Sequence, residues 1–258
     1  MAFDKVRIRF SKTGDLRLVS HLDLMRSFER LLRRSQLPFR STEGFHPAPR
    51  LIVAHSLPLG LVGLNEVVEL ELLEPTEPEE VLQRFRSQTI PGLQFLSAQR
   101  LPIKASARPR RGTYRFVVNA ETHELATLAA RCETLLAQAE VWCPREKPQP
   151  REVNIRPYIE TLKVTETGLH ASVWITQNGT LRPEEIAREM GLGELALTGL
   201  LVERTFLELH DEISPEESTR TPVLEQQTRP WNFVARFNAT PVVPSETWGA
   251  TENGPIVE

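Results

Sequence analysis

A chain of 258 residues with 40% hydrophobic and 25% charged side chains holds enough apolar material for one large core or two ordinary ones, and no apolar run nears the roughly 18 residues that a bilayer span needs, which sets membrane insertion aside. Cys132 and Cys143 lack CxxC spacing and a neighbouring histidine pair, which argues against a disulfide framework, a thiolate metal site or redox chemistry in this chain. The net charge of −3 divides into +6 over residues 1–112 and −9 over the remainder, so the first half suits a polyanion partner without reaching the charge of a dedicated nucleic-acid module.

The opening stretch runs directly into a strand pattern without the apolar core of a secretory signal, so a cytoplasmic protein is expected. Lys5–Phe10 alternates charged with branched or aromatic residues, the period of a strand with one solvated face. After the turn at residues 12–15, Ser20 caps a helix in which Leu22, Met25, Phe28 and Leu32 recur at helical spacing, and Pro38 closes its exit. Arg26, Arg30, Arg33 and Arg34 form a basic stripe on its other side. Residues 41–50, with two prolines and a glycine, read as a shaped loop leading into a strand at 51–55. Strands at 66–73 and 93–98 flank a helix over 77–86, completing the β-α-β-β-α-β order of a ferredoxin-like unit over residues 1–101.

Residues 102–112, with Lys104, Arg108, Arg110 and Arg111, read as an exposed basic linker. Beyond it, a strand at 114–119, a helix at 121–139, strands at 159–164 and 170–176, a helix at 182–190 and a strand at 200–209 repeat the order over residues 113–210. The fold class is therefore α+β, with two tandem ferredoxin-like units. Residues 211–258 carry six prolines and eight acidic against three basic residues, and read as a disordered tail in which Trp231, Phe233, Phe237 and Trp248 could dock on a partner or on the body.

Candidate chemistry is sparse. His21, with Asp23 nearby, suits proton transfer, but a Ser20 cap followed by an imidazole and a carboxylate in the first helical turn equally serves the orphan backbone donors there. Glu43, His46 and Arg50 offer polar contacts on the proline-stiffened loop, against the alternative that the loop packs Phe45 into the core. With His21 and His55 also present, a His/Glu metal site is conceivable, yet nothing fixes a ligand spacing and no metal is assigned. Lys12, Arg17, Arg26 and Arg30, with linker Arg108, Arg110 and Arg111, could contact phosphates or simply be solvated. Asn154, Arg156 and Tyr158 surround a proline bend and could recognise a substrate or pair internally. No phosphate loop, dinucleotide fingerprint or nucleophile elbow occurs, and Gly60 and Gly63 are a bare glycine pair.

The segments KVRIRF at 5–10, KTGDLR at 12–17, SHLDLMR at 20–26, EGFHP at 43–47, LPLG at 57–60 and IRPY at 155–158 resemble a family of radical-SAM-linked proteins of unknown function, over roughly residues 3–210. Such domains are found alone or fused to the C-terminus of cobalamin-binding-type radical-SAM enzymes, often in the company of ribosomal-protein and ribonuclease genes. The resemblance implies an accessory protein that presents RNA or a ribosome-related substrate to a radical-SAM partner. No CxxxCxxC motif is present, so an iron–sulfur cluster, S-adenosylmethionine and cobalamin would belong to that partner, with no cofactor in this chain. Ala48 stands where the family often has a polar residue, which weakens a multi-histidine site in that loop. The alternatives are an RNA-processing or RNA-modifying enzyme using His21 or His46, and a purely protein-binding adaptor.

Overall fold

The computed structural model describes residues 4–118, 124–193 and 199–230. It is an α+β protein built on one large mixed sheet, and among the described residues no helix is long and apolar enough to cross a membrane. In the first half, strands β1 (Asp4–Lys12), β2 (Leu51–Val53), β3 (Val62–Leu72) and β4 (Leu93–Leu101) enclose helices α1 (His21–Arg34) and α2 (Pro78–Ser87). In the second, β5 (Pro109–Phe116), β8 (Ile159–Thr165), β9 (Gly168–Trp174) and β10 (Val202–Leu209) accompany α3 (Leu125–Ala137) and α4 (Pro183–Glu189). Between α3 and β8 lies a hairpin, β6 (Trp142–Arg145) and β7 (Arg151–Asn154), that the sequence reading did not anticipate.

The sheet runs β4-β1-β3-β10-β5-β9-β8, with β2 also pairing β3. Every contact within a half is antiparallel. The halves meet where the start of β3, Val62 and Gly63, pairs in parallel with Glu203 and Arg204 of β10.

Helix α1 begins as expected, with the Ser20 hydroxyl accepting the Asp23 amide N–H at 3.2 Å. Its buried face is Leu24, Phe28, Leu31 and Leu32, with Met25 packed partly buried beside them; of the expected core residues only Leu22 lies exposed. The face is thus turned slightly from the expected one, toward Leu24 and Leu31, by contact with the sheet. Phe28 stands between Phe10 and Phe95 in edge-on contacts with centroids 5.1 and 6.0 Å apart.

The opposite face of β1 is not solvated. Lys5 and Arg7 are buried, Arg7 Nη2 lies 2.8 Å from Glu69 Oε1 and 2.7 Å from Asp211 Oδ2, and Lys5 pairs Glu69 at 2.9 Å. Asp211 belongs to the segment expected to be disordered. Its described part, residues 211–230, instead lies along the body as a strap, with helix α5 (Pro215–Thr219) and strand β11 (Thr228–Pro230) paired to β7. Arg110 donates to Thr221 Oγ1 at 2.5 Å and to the Glu217 carbonyl at 2.8 Å, and Asn154 donates to Gln227 Oε1 at 2.6 Å. The aromatic residues expected to dock, Trp231, Phe233, Phe237 and Trp248, lie outside the described residues. The expected linker is likewise partly strand, since β5 starts at Pro109 and buries Arg110.

Two interactions lock the junction. Leu57 and Leu61, from the turn before β3, insert into the second half's core beside Tyr114 and Phe116. Next to them the fully buried Arg204 engages Glu66 with a fork of two donors, Nε to Oε1 at 2.8 Å and Nη2 to Oε2, and donates to the His55 carbonyl at 2.9 Å. Gly63 makes this possible: a Cβ there would lie 2.6 Å from Glu66 Cγ and 2.9 Å from Oε1. Lys12, also buried, donates to the Val19 carbonyl at 2.8 Å and feels the same Glu66 carboxylate, so one anion serves two cations. Burial works to lower the Arg204 pKa, but the Glu66 carboxylate outweighs it and holds the guanidinium charged.

Removing one partner of such a pair strands a buried charge, at a cost of about 3–5 kcal/mol. Glu66→Leu should be more damaging than Arg204→Met, because it leaves Lys12 and Arg204 both uncompensated, and the double change Arg204→Met/Glu66→Leu should destabilise by less than the sum of the two single changes. Urea denaturation of the four proteins checks this, and strict additivity would refute the coupling.

The partly buried His55 adds a pH dependence. Burial, with the Arg204 guanidinium second, lowers its pKa from 6.5 to about 4. A base kept neutral when folded, but protonated at its ordinary value when unfolded, leaves stability complete above pH 6.5 and declining as the pH falls toward 4. Denaturation midpoints between these values should fall less steeply for His55→Gln than for the parent, and equal slopes would exclude the histidine as the source.

Candidate functional site

A cleft of about 840 Å³ opens between the two halves. On one side the 3-10 turn Gly14–Leu18 presents Arg17 and Leu18, and the turn at residues 57–60 presents Pro58 and Leu59. The two turns are tied together by the Gly60 N–H, which donates to the Arg17 carbonyl at 2.8 Å. Gly60 sits at φ 87°, where a side chain would be strained. The facing side is made by the hairpin end, Pro144, Arg145, Glu146 and Lys147, and by Arg182, Glu184 and Arg188 at α4.

One buried carboxylate organises that facing side. Glu185 receives the Arg145 guanidinium in a fork, at 2.6 and 2.9 Å, and its Oε2 also accepts the Arg182 backbone N–H at 2.7 Å. The charge of Arg145 is thus spent internally, while its position fixes the hairpin against α4. Arg17, Lys147, Arg182 and Arg188 have no ion-pair or hydrogen-bond partner for their side chains among the described residues. Four unspent cations facing two carboxylates, Glu146 and Glu184, make the cleft attractive to an anion.

Arg17 is the one sequence-predicted site residue that lines this cleft. His21 and Asp23 lie in the first turn of α1, and Asp23 is occupied there: Ser20 Oγ donates to its carboxylate at 2.8 Å and Arg26 Nη1 at 2.9 Å. These bonds, the Ser20 one first, hold the exposed Asp23 carboxyl below its usual range and express the capping reading. Arg30 is exposed on the same helix.

The loop of residues 41–50 is a hairpin-like projection, closed by the Thr42 N–H donating to the Ala48 carbonyl at 2.8 Å. Glu43 and His46 are exposed on it, and Phe45, which the core alternative would have buried, is fully exposed. Arg50 turns back toward Glu71 at 3.6 Å, which also holds Arg40 at 2.9 Å.

Three of the predicted substrate contacts, Lys12, Asn154 and Tyr158, face inward. Lys12 is buried against Glu66 and the Val19 carbonyl. Asn154 is buried, its Oδ1 accepting the Val141 N–H at 2.9 Å and its amide holding Gln227. Tyr158 is wholly buried in the second core. Arg156 closes the end of α3, donating from Nη2 to the Leu136 carbonyl at 2.8 Å and from Nη1 to the Ile159 carbonyl at 3.1 Å. Asn154, Arg156 and Tyr158 stand beside a bend, and bends need internal hydrogen bonds as much as surfaces need contacts; Lys12, expected as a phosphate contact, is instead held at the junction.

Of the arginines expected in the linker, Arg108 is exposed while Arg110 and Arg111 are also committed. Arg111 pairs Glu160 at 2.8 Å and Glu208 at 2.5 Å, and Arg110 pairs Glu208. Phe10, the one aromatic of strand one, points into the helix-side core, so this strand offers no stacking platform. The cysteines are buried, and burial, followed by Glu189 and Glu185, keeps the Cys143 thiol protonated. Among the described residues no group of three or more His, Cys, Asp or Glu side chains is placed to hold a metal ion.

Sequence reasoning missed Lys147, Arg182 and Arg188. Their spacing carries no motif, and their common feature, being cations without carboxylate partners, exists only after folding.

No curated protein matches the sequence. A family model does match, over residues 5–183, which takes in Arg17, the hairpin end and Arg182 but not Arg188. On that match the chain belongs to a bacterial family described as "Uncharacterized protein conserved in bacteria (DUF2344)".

Proposed function

We propose that this protein binds RNA, or a particle that carries RNA, through the basic cleft between its halves, and serves as an accessory to a radical-SAM enzyme rather than as a catalyst. The observation that carries the reading is the distribution of arginine charge. Across the sheet, Arg7, Arg110, Arg111, Arg115 and Arg204 are each matched with a carboxylate, whereas Arg17, Lys147, Arg182 and Arg188 converge on one cleft unmatched. Guanidinium groups free of carboxylates are the ones available to phosphate.

The association with a radical-SAM partner rests on the resemblance of the motifs at residues 5–10, 12–17, 20–26, 43–47, 57–60 and 155–158. In this reading the iron–sulfur cluster, S-adenosylmethionine and cobalamin are the partner's, and the pair works in the cytoplasm. The architecture is read as two ferredoxin-like units side by side, residues 1–101 and 113–210. The strand orders β4-β1-β3-β2 and β10-β5-β9-β8, all antiparallel, support this, with β6 and β7 as an insertion in the second unit. A catalytic role for His21 or His46 gains no support, because neither lines the cleft.

Titration with tRNA and rRNA fragments across a range of salt tests the reading. Binding should weaken as salt rises, and Arg17→Gln, Arg182→Gln and Arg188→Gln together should reduce the slope of log affinity against log salt by about 2 for single-stranded RNA. The comparison protein carries Arg26→Gln and Arg30→Gln on α1. If that protein loses the slope and the cleft variant keeps it, the cleft is the wrong surface; absence of salt-dependent binding removes the RNA reading altogether. Recovery of the radical-SAM enzyme with this protein after nuclease treatment tests the accessory role, and its loss would count against a direct contact.

A further inference from the structure

The cleft has a feature that phosphate binding alone does not use. Leu18 and Leu59, with 59% and 65% of their surfaces exposed, project into it beside Arg17, and Leu61, Pro58 and Pro144 extend the apolar lining. Exposed leucines are individually ordinary. Here, however, the two sit on turns tied together by the Gly60 to Arg17 hydrogen bond, and they line the same cleft as Arg182 and Arg188. Apolar surface and unmatched cations therefore face each other across one space of about 840 Å³, within the roughly 300–1,000 Å³ typical of small-ligand sites.

Resting on the RNA reading above, we infer that the cleft takes a single unpaired nucleotide of an RNA strand, its base laid against Leu18 and Leu59 and its flanking phosphates on Arg17, Arg182 and Arg188. The chemistry of the lining favours this class over a paired helix. A duplex presents phosphates and 2′-hydroxyls with its bases stacked inside, so it has no flat apolar face to offer the leucines. An unstacked base offers that face together with an adjacent negative charge, and extruded bases are held between apolar side chains in this manner. Bare phosphate would satisfy the arginines and leave the leucines wet.

The test compares a short single-stranded RNA with a hairpin-capped duplex of the same sequence, by fluorescence anisotropy at one salt concentration, for the parent protein and for Leu18→Ser/Leu59→Ser. Both leucines are exposed, so the variant keeps the folded core. The single strand should bind the parent about tenfold more tightly than the duplex, and the leucine variant should lose about tenfold in single-strand affinity, with duplex affinity unchanged. Equal affinity for the two RNAs, or a leucine variant that binds the single strand as well as the parent, overturns the nucleotide pocket while leaving salt-dependent phosphate binding in place. Failure of the parent to bind either RNA overturns the phosphate reading itself.

Discussion

The Arg204–Glu66 pair is the constraint around which the rest of the molecule is arranged. The parallel register between β3 and β10 is only two residues long, too short to hold the halves together by backbone hydrogen bonds alone. A buried guanidinium spanning that register, fixed to Glu66 and to the His55 carbonyl, supplies direction as well as attraction. Buried ion pairs contribute little net stability compared with apolar packing, but a broken one is expensive, which discourages other arrangements of the two halves. Leu57 and Leu61 provide the apolar burial that the pair does not.

The same junction builds the cleft. Leu57 and Leu61 anchor the turn on either side of Leu59, so the intervening residues must stand out from the second core, and the Gly60 N–H pins Arg17 next to them. On the far side, Glu185 gathers Arg145 and the backbone of Arg182, which joins the inserted hairpin to α4. Neither half alone has both the leucine shelf and the facing cations. Clefts form readily where two halves of a fold each supply one wall.

Arginine has two uses in this fold. On the sheet face away from the helices it works as internal mortar: Arg7 links β1 to β3 and to the strap, and Arg111 links β5 to β8 and β10. Bidentate geometry makes arginine suited to this, and it explains how a segment as acidic and proline-rich as residues 211–230 lies ordered against the body. Some of the basic first half is neutralised by the acidic second half, as where Arg7 and Arg9 meet Asp211 and Glu212 and where Arg110 and Arg111 meet Glu208. Arg17, Lys147, Arg182 and Arg188, at the cleft, take no part in such pairs among the described residues.

The amino-acid sequence by itself determined most element types, because the evidence of period is local: alternation in Lys5–Phe10, the Ser20 cap and the 3.6-residue repeat of α1, the acidic first turn of α2 and the order of strands and helices in the first half, though not the β6–β7 hairpin of the second. It also placed Arg17 among the candidate contacts. Only the tertiary structure decided that Leu24 and Leu31 rather than Leu22 complete the buried face of α1, that Lys12, Asn154 and Tyr158 turn inward, that residues 211–230 form a strap, and that Lys147, Arg182 and Arg188 join Arg17. The reason is physical: whether a charge is spent or available depends on its nearest opposite charge, and the deciding pairs here, such as Arg7 with Asp211 and Arg204 with Glu66, lie far apart along the chain and leave no periodic trace in it.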